Sequence, residues 1–314
     1  MTAASLAFVF PGQGSQKVGM LADAYEAFAA VRDTYSEASD ALGYDVWKLI
    51  QEGEQEALNM TETTQPVLLS SSVALWRAWL EQGGAMPSIM AGHSLGEFSA
   101  LVCAGALEFA PAVNLVRQRG AFMQSAVPVG EGSMAAIIGL DDEAINTICA
   151  DVSSGHGVVA AVNFNSPGQV VIAGHTAAVD AAIDALKAAG AKRAMPLPVS
   201  APFHTELMKP AGEKLAEAMA NITISSPAVP VVHNVHAHTE SEPERIRSLL
   251  VEQIYSPVQW TSCVAAIAAT GATTVVECGP GKVLSGLNRR IDKSLKSVSL
   301  EAADELKSAA ADLH

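Results

Sequence analysis

Gly92-His93-Ser94-Leu95-Gly96 is the stretch on which the reading of this chain turns. It fits a nucleophile elbow, the Gly-x-Ser-x-Gly turn between a buried strand and a helix that pushes a serine hydroxyl out at the helix N-terminus. Ile89-Met90-Ala91 predicts the end of that strand, and Glu97 to Cys103 predicts the helix. Glycines are needed because the strained turn leaves no room for Cβ atoms beside the serine. The bare pattern arises by chance about one time in ten in a chain of this length, so its flanks carry weight. Gly83-Gly84 stops the preceding element and Gly105 closes the following helix. A serine that only caps a helix is the plain alternative.

Upstream, the apolar run Leu6 to Phe10 breaks into Pro11-Gly12-Gln13-Gly14-Ser15-Gln16, a buried first strand feeding a glycine-rich loop. A dinucleotide fingerprint would need glycine where Lys17 stands, and a P-loop would need Gly-Lys-Ser/Thr; neither is present. The loop is expected instead to bring backbone N–H groups beside the elbow. Helices are predicted from Met20 to about Asp40, from Trp47 to Leu58, and from Val67 to Leu80 with Pro66 in the first turn. Another opens at Pro111 and runs to Gly120. On it Arg117 and Arg119 point about 200° apart, so only one can face a pocket. They are either two solvated arginines or one solvated residue and one clamp for a substrate carboxylate.

Downstream of Val127 the texture changes. Strands at Met134 to Ile138, Val158 to Asn163, Val170 to Ala173 and Ala194 to Leu197 alternate with helices from Asp141 and from Thr176 to Ala189. The order β-α-β-β-α-β is a ferredoxin-like signature. We therefore expect an α/β fold: an α/β-hydrolase-like large domain (1–126 and 199–314) with a parallel sheet, and a ferredoxin-like insert (127–198). The large domain resumes with a helix from Glu206 to Met219, a strand from Val229 to His233, helices from Glu242 to Gln253 and Cys263 to Ala269, and a strand from Thr274 to Glu277.

Composition narrows the function classes. The 314 residues are 49% hydrophobic, enough for a full core, and carry a formal charge of −14. A surface of that sign disfavours nucleic acid and anionic membranes. Cys103, Cys149, Cys263 and Cys278 lack Cys-x-x-Cys spacing and suit reduced core positions in a cytoplasmic protein. Met1 to Phe10 has no basic n-region, so no signal peptide is expected, and no apolar stretch is long enough to span a bilayer. His233, His236 and His238 lack a matching carboxylate or cysteine at ligand spacing; a solvated loop is expected and no metal site. Lys282, Arg289, Arg290, Lys293 and Lys296 form a basic stretch, either a solvated helix face or a landing patch for an acidic partner.

Six blocks in order, Phe10-Pro-Gly-Gln13-Gly-Ser-Gln16, Gly92-His-Ser94-Leu-Gly-Glu97, Arg119-Gly120, Asn163-Phe-Asn-Ser-Pro-Gly-Gln169, Ser200-Ala-Pro-Phe-His204 and Gln253-x-x-x-Pro257-Val-Gln-Trp260, closely resemble the malonyl-CoA:acyl-carrier-protein transacylase family. The resemblance runs from about Leu6 to Arg290. It implies Ser94 as nucleophile, His204 as its base, and the main-chain carbonyl of Gln253 in place of a triad carboxylate. It further implies an oxyanion hole from the N–H groups of Gln13 and Leu95, Arg119 pairing with the free carboxylate of malonate, and His93, Asn163 and Phe203 at the substrate, Phe203 bearing on acyl specificity. Malonyl-CoA and acyl carrier protein are the implied partners in fatty acid synthesis; no metal or organic cofactor is implied, and a monomer is left open. A serine hydrolase, a polyketide acyltransferase and a non-catalytic carrier-binding protein are the competing readings.

Overall fold

The computed structural model describes residues 5–199 and 201–313. Ser200, first residue of the Ser-Ala-Pro-Phe-His block, lies outside the described residues, as do Met1–Ala4 and His314. The described residues build two sheets. The first contains β1 (Leu6–Phe10), β2 (Ile89–Gly92), β7 (Val231–Val232), β8 (Thr274–Glu277) and β9 (Lys296–Ser299) in the order β7-β2-β1-β8-β9, every pair parallel. The second contains β3 (Gly132–Ile138), β4 (Val159–Ser166), β5 (Gln169–His175) and β6 (Arg193–Pro196) in the order β4-β5-β3-β6, every pair antiparallel.

Each sheet follows from side-chain alternation. In β1, Leu6, Phe8 and Phe10 enter one core and Ala7 and Val9 the other. Both faces are therefore covered, as a parallel sheet requires, and the strand reads as a continuous apolar run. In the antiparallel sheet Ala135, Ile137, Val170 and Ile172 pack on the helices Asp142–His156 and Thr176–Ala188. Met134, Val162, Val171 and Ala173 face the large core instead. The two units are stitched by backbone bonds at Val258, whose N–H donates to Val162 at 2.8 Å and whose carbonyl accepts from Phe164 at 3.0 Å.

Several predicted boundaries shift. The helix expected at Val67 begins at Thr61 and places Pro66 inside it (Thr61–Glu81), because the N–H groups of Thr63 and Thr64 already bond the Met60 carbonyl. The helix expected from Met20 to Asp40 is two, Ala22–Ala27 and Ala29–Leu42, parted by extended Phe28. The stretch Trp47 to Leu58 divides at Gly53, where a Cβ would lie 2.3 Å from the Leu49 carbonyl oxygen. The helix expected from Glu206 opens with a 3₁₀ turn before Lys209–Met219, and the strand expected over Val229 to His233 shrinks to Val231–Val232. All four cysteines are free.

Candidate active site

β2 delivers the chain into the elbow, and the helix Leu95–Cys103 leaves it. Ser94 sits between them at φ 50°, ψ −107°, a conformation that side chains rarely adopt. The glycines are there for lack of space: a Cβ on Gly92 would lie 1.9 Å from the Gly96 carbonyl, and one on Gly96 would lie 2.0 Å from the Phe10 oxygen. Gly12 approaches from the first loop, where a Cβ would lie 2.5 Å from the His93 oxygen. The glycine-rich loop therefore packs directly on the elbow.

His204 meets Ser94 from the other half of the chain. Its Nε2 is 2.9 Å from Ser94 Oγ and its Nδ1 is 2.8 Å from the main-chain oxygen of Gln253. A carbonyl only accepts, so Nδ1 carries the hydrogen and Nε2 of the neutral ring is free to accept from the serine. Burial, followed by the positive charge of Arg119, pushes the pKa of His204 down to about 3. The ring is neutral near pH 7, the state a base requires.

Arg119 points inward from the helix Phe109–Gln124 and is 1% exposed, whereas Arg117 is exposed. Its Nη1 donates to Gln65 Oε1 at 2.8 Å, and its Nη2 donates to Gln253 Oε1 at 2.8 Å and to Ser94 Oγ at 3.3 Å. The guanidinium also lies 5.2 Å from the centre of the Phe98 ring. Burial lowers its pKa to about 10, so it keeps its charge at neutral pH. A buried guanidinium beside a serine hydroxyl has the chemistry to receive an anion there.

Gln13, His93, Ser94, Leu95, Arg119, Asn163, Phe203 and His204 all line one cavity of about 300 Å³ between the two sheets. Gln253 stands behind it, reaching the cavity through His204 and Arg119. His93 Nε2 donates to Asn165 Oδ1 at 2.8 Å.

Sequence reasoning passed over Gln65, Glu97 and Asn234 as site residues. Asn234 Oδ1 accepts from the Ser94 N–H and its Nδ2 donates to the Gly92 carbonyl, both at 2.7 Å. Of the histidine loop expected to be solvated, His238 is exposed and His236 half-buried, but His233 and the neighbouring Asn234 are fully buried, and His233 Nδ1 bonds Glu97 Oε1 at 2.7 Å. A carboxylate at the core of the elbow helix draws this loop inward. Glu97 alone left a trace, standing three residues after the serine at capping-box spacing.

The profile of the acyl transferase domain family matches residues 7–310. The chain belongs to that family. This acyltransferase is 59% identical over 303 residues to the malonyl CoA-acyl carrier protein transacylase of Salmonella typhimurium, covering 96% of this chain and 98% of the relative. The malonyl CoA-acyl carrier protein transacylase structure from Coxiella burnetii superposes with a TM-score of 0.97 at 48% identity, covering 99% of the acyltransferase and 98% of that chain. A malonyl-transacylase solved in complex with its type II PKS acyl-carrier protein superposes with a TM-score of 0.96 at 53% identity, covering 98% and 100%. The resemblance drawn from six motifs thus holds across nearly the whole length.

Proposed function

We propose that the chain transfers the malonyl group from malonyl-CoA to the phosphopantetheine thiol of acyl carrier protein, through a malonyl-serine, in the service of fatty acid biosynthesis. The observation that carries this reading is the meeting of Ser94 Oγ with His204 Nε2 at 2.9 Å and with Arg119 Nη2 at 3.3 Å in one cavity. A dyad alone suits any acyl transfer or hydrolysis. A buried cation at the nucleophile selects an acyl group that ends in a carboxylate.

In the first half-reaction His204 Nε2 takes the Ser94 proton as Oγ attacks the thioester carbon. The oxyanion is received by the N–H groups of Leu95 and Gln13, an arrangement in which each donor typically contributes about 3 kcal/mol. The carbon–sulfur bond breaks and the CoA thiolate leaves with the proton from His204. In the second half the carrier thiol gives its proton to His204 and attacks the ester, and Ser94 recovers its hydrogen. Throughout, the free carboxylate of malonate pairs with Arg119, and His93, Asn163 and Phe203 bound the acyl group. The thioester supplies its own activation, so the cycle calls for no metal or organic cofactor.

In this reading residues 1–126 and 199–314 form the α/β-hydrolase-like catalytic domain and 127–198 a ferredoxin-like insert, supported by the parallel and antiparallel sheets and their strand orders. The carrier as partner is supported by the similar malonyl-transacylase solved with its own carrier. No helix among the described residues is long and apolar enough to cross a membrane; a cytoplasmic location goes with the proposed pathway.

Intact-protein mass spectrometry tests the reading. Wild type and Ser94→Ala are mixed with malonyl-CoA, and a phosphopantetheinylated carrier is then added. A malonyl adduct on wild type alone that moves to the carrier supports the proposal. Free malonate without transfer makes the chain a hydrolase, and the absence of both adduct and free malonate removes Ser94 from the chemistry.

A further inference from the structure

Ser94-x-x-Glu97 has the spacing of a capping box, in which the serine hydroxyl takes the N–H three residues on and the glutamate reaches back to the serine N–H. Neither half of the box is used. The Ser94 side chain makes no cap bond, and its N–H goes to Asn234. Glu97 is fully buried and turns the other way. Its Oε1 accepts from His233 Nδ1 at 2.7 Å, while its Oε2 accepts from the Asn234 N–H at 2.9 Å and from Gln253 Nε2 at 2.7 Å.

This carboxylate fixes what Gln253 can do. A carboxylate only accepts and a guanidinium only donates, so the Gln253 amide between them has a single satisfiable orientation. Its nitrogen faces Glu97 and its oxygen faces Arg119 Nη2. The same residue offers its main-chain oxygen to His204. Through Asn234, the carboxylate also holds the amide that spans the elbow from Gly92 to Ser94.

We infer that Glu97 is a positioning residue for acyl selection: by holding the Gln253 amide, it sets the angle at which Arg119 presents its fork to the carboxylate of the acyl group. The inference rests on the reading of Arg119 as that clamp. Glu97 stands outside the cavity lining, and its reach matters more than its charge. Glu97→Gln keeps an oxygen for Asn234 and Gln253 and turns its NH₂ to His233. The His233 Nε2 has no partner among the described residues, so the ring can carry its proton there and accept at Nδ1. Glu97→Asp keeps the charge and withdraws it by one methylene.

The test is single-turnover acylation of Ser94, together with kcat and KM for transfer to the carrier, using malonyl-CoA and acetyl-CoA on each variant. Glu97→Gln is expected to hold the malonyl-to-acetyl ratio within about threefold of wild type. Glu97→Asp is expected to lose at least about tenfold in malonyl kcat/KM while acetyl stays within about threefold. Equal loss on both donors in Glu97→Asp overturns the inference in favour of a scaffold role. Full malonyl preference in Glu97→Asp with loss in Glu97→Gln overturns it in favour of charge. Gln253→Met, which removes no buried charge and keeps the main-chain oxygen, carries the test if Glu97→Asp does not fold: selective malonyl loss supports the inference and equal loss overturns it. Failure of wild type to form a malonyl-serine would instead sink the transfer reading, and equal loss on both donors in Arg119→Ala would sink the clamp reading itself.

Discussion

His204 Nδ1 bonds the main-chain oxygen of Gln253 at 2.8 Å, so a peptide group, not a carboxylate, orients the imidazole. A neutral partner fixes the tautomer without adding a negative charge beside the ring. Nothing anionic then offsets burial and Arg119, and the imidazolium is disfavoured. This pairing has consequences for rate and for stability.

Arg119→Ala should lower malonyl transfer by at least about a hundredfold, because the buried acyl carboxylate loses its charged partner. Acetyl transfer should hold or rise. The comparison is kcat/KM for the two CoA thioesters, and equal loss on both would remove the clamp role.

The acid limb of Ser94 acylation should lie well below the ordinary histidine value of 6.5, leaving the rate flat from pH 7 down to pH 5. Arg119 is one cause of the depression, so its removal makes protonation easier. Arg119→Ala should therefore move the limb to higher pH. Stopped-flow acylation with acetyl-CoA reads both variants on the same donor; a limb that stays in place would remove Arg119 as the cause.

Stability should carry the same signature. Between pH 6.5 and about 3 the unfolded chain binds a proton at His204 that the folded chain refuses. Stability from this group is full above pH 6.5 and declines as pH falls through that window. From pH 7 to pH 5 the loss amounts to about 2 kcal/mol. Urea unfolding at the two pH values should show that difference shrinking in His204→Gln.

Ser94→Gly should be inactive and more stable by about 1 kcal/mol, since glycine enters φ 50° without strain. Denaturant midpoints measure it. An unchanged or lower midpoint would mean that the Asn234 bonds already absorb the strain.

The elbow was legible in the sequence because its requirements are local: Gly92 and Gly96 are needed within a few residues of the serine they serve. The burial of Arg119 was legible as a choice of two, and the six motifs settled which arginine. Asn234 and Gln65 were not legible, because each reaches the site from a separate part of the chain and neither residue type marks chemistry by itself. Glu97 sat in plain view as a capping-box residue, and only the fold reveals that its partners come from two distant segments. Pro66 misled for a physical reason. Proline is favoured in a first turn, yet the helix starts at Thr61, where backbone donors find the Met60 carbonyl.

The cavity is walled on one side by the elbow and on the other by Met134, Ala136, Asn163 and Val171 of the antiparallel sheet, which joins the large unit through the peptide groups around Val258. Arg119 stands with Ser94 and His204 in the large unit, so the antiparallel sheet contributes the opposite wall of the cavity and none of its charge. Substitutions in that wall can reshape the space left for the acyl tail while Ser94, His204, Arg119 and the glycines around them stay untouched. Homologous inserts grafted between Val127 and Pro198 are thus expected to change the size of acyl group admitted, while the preference for a terminal carboxylate stays with Arg119.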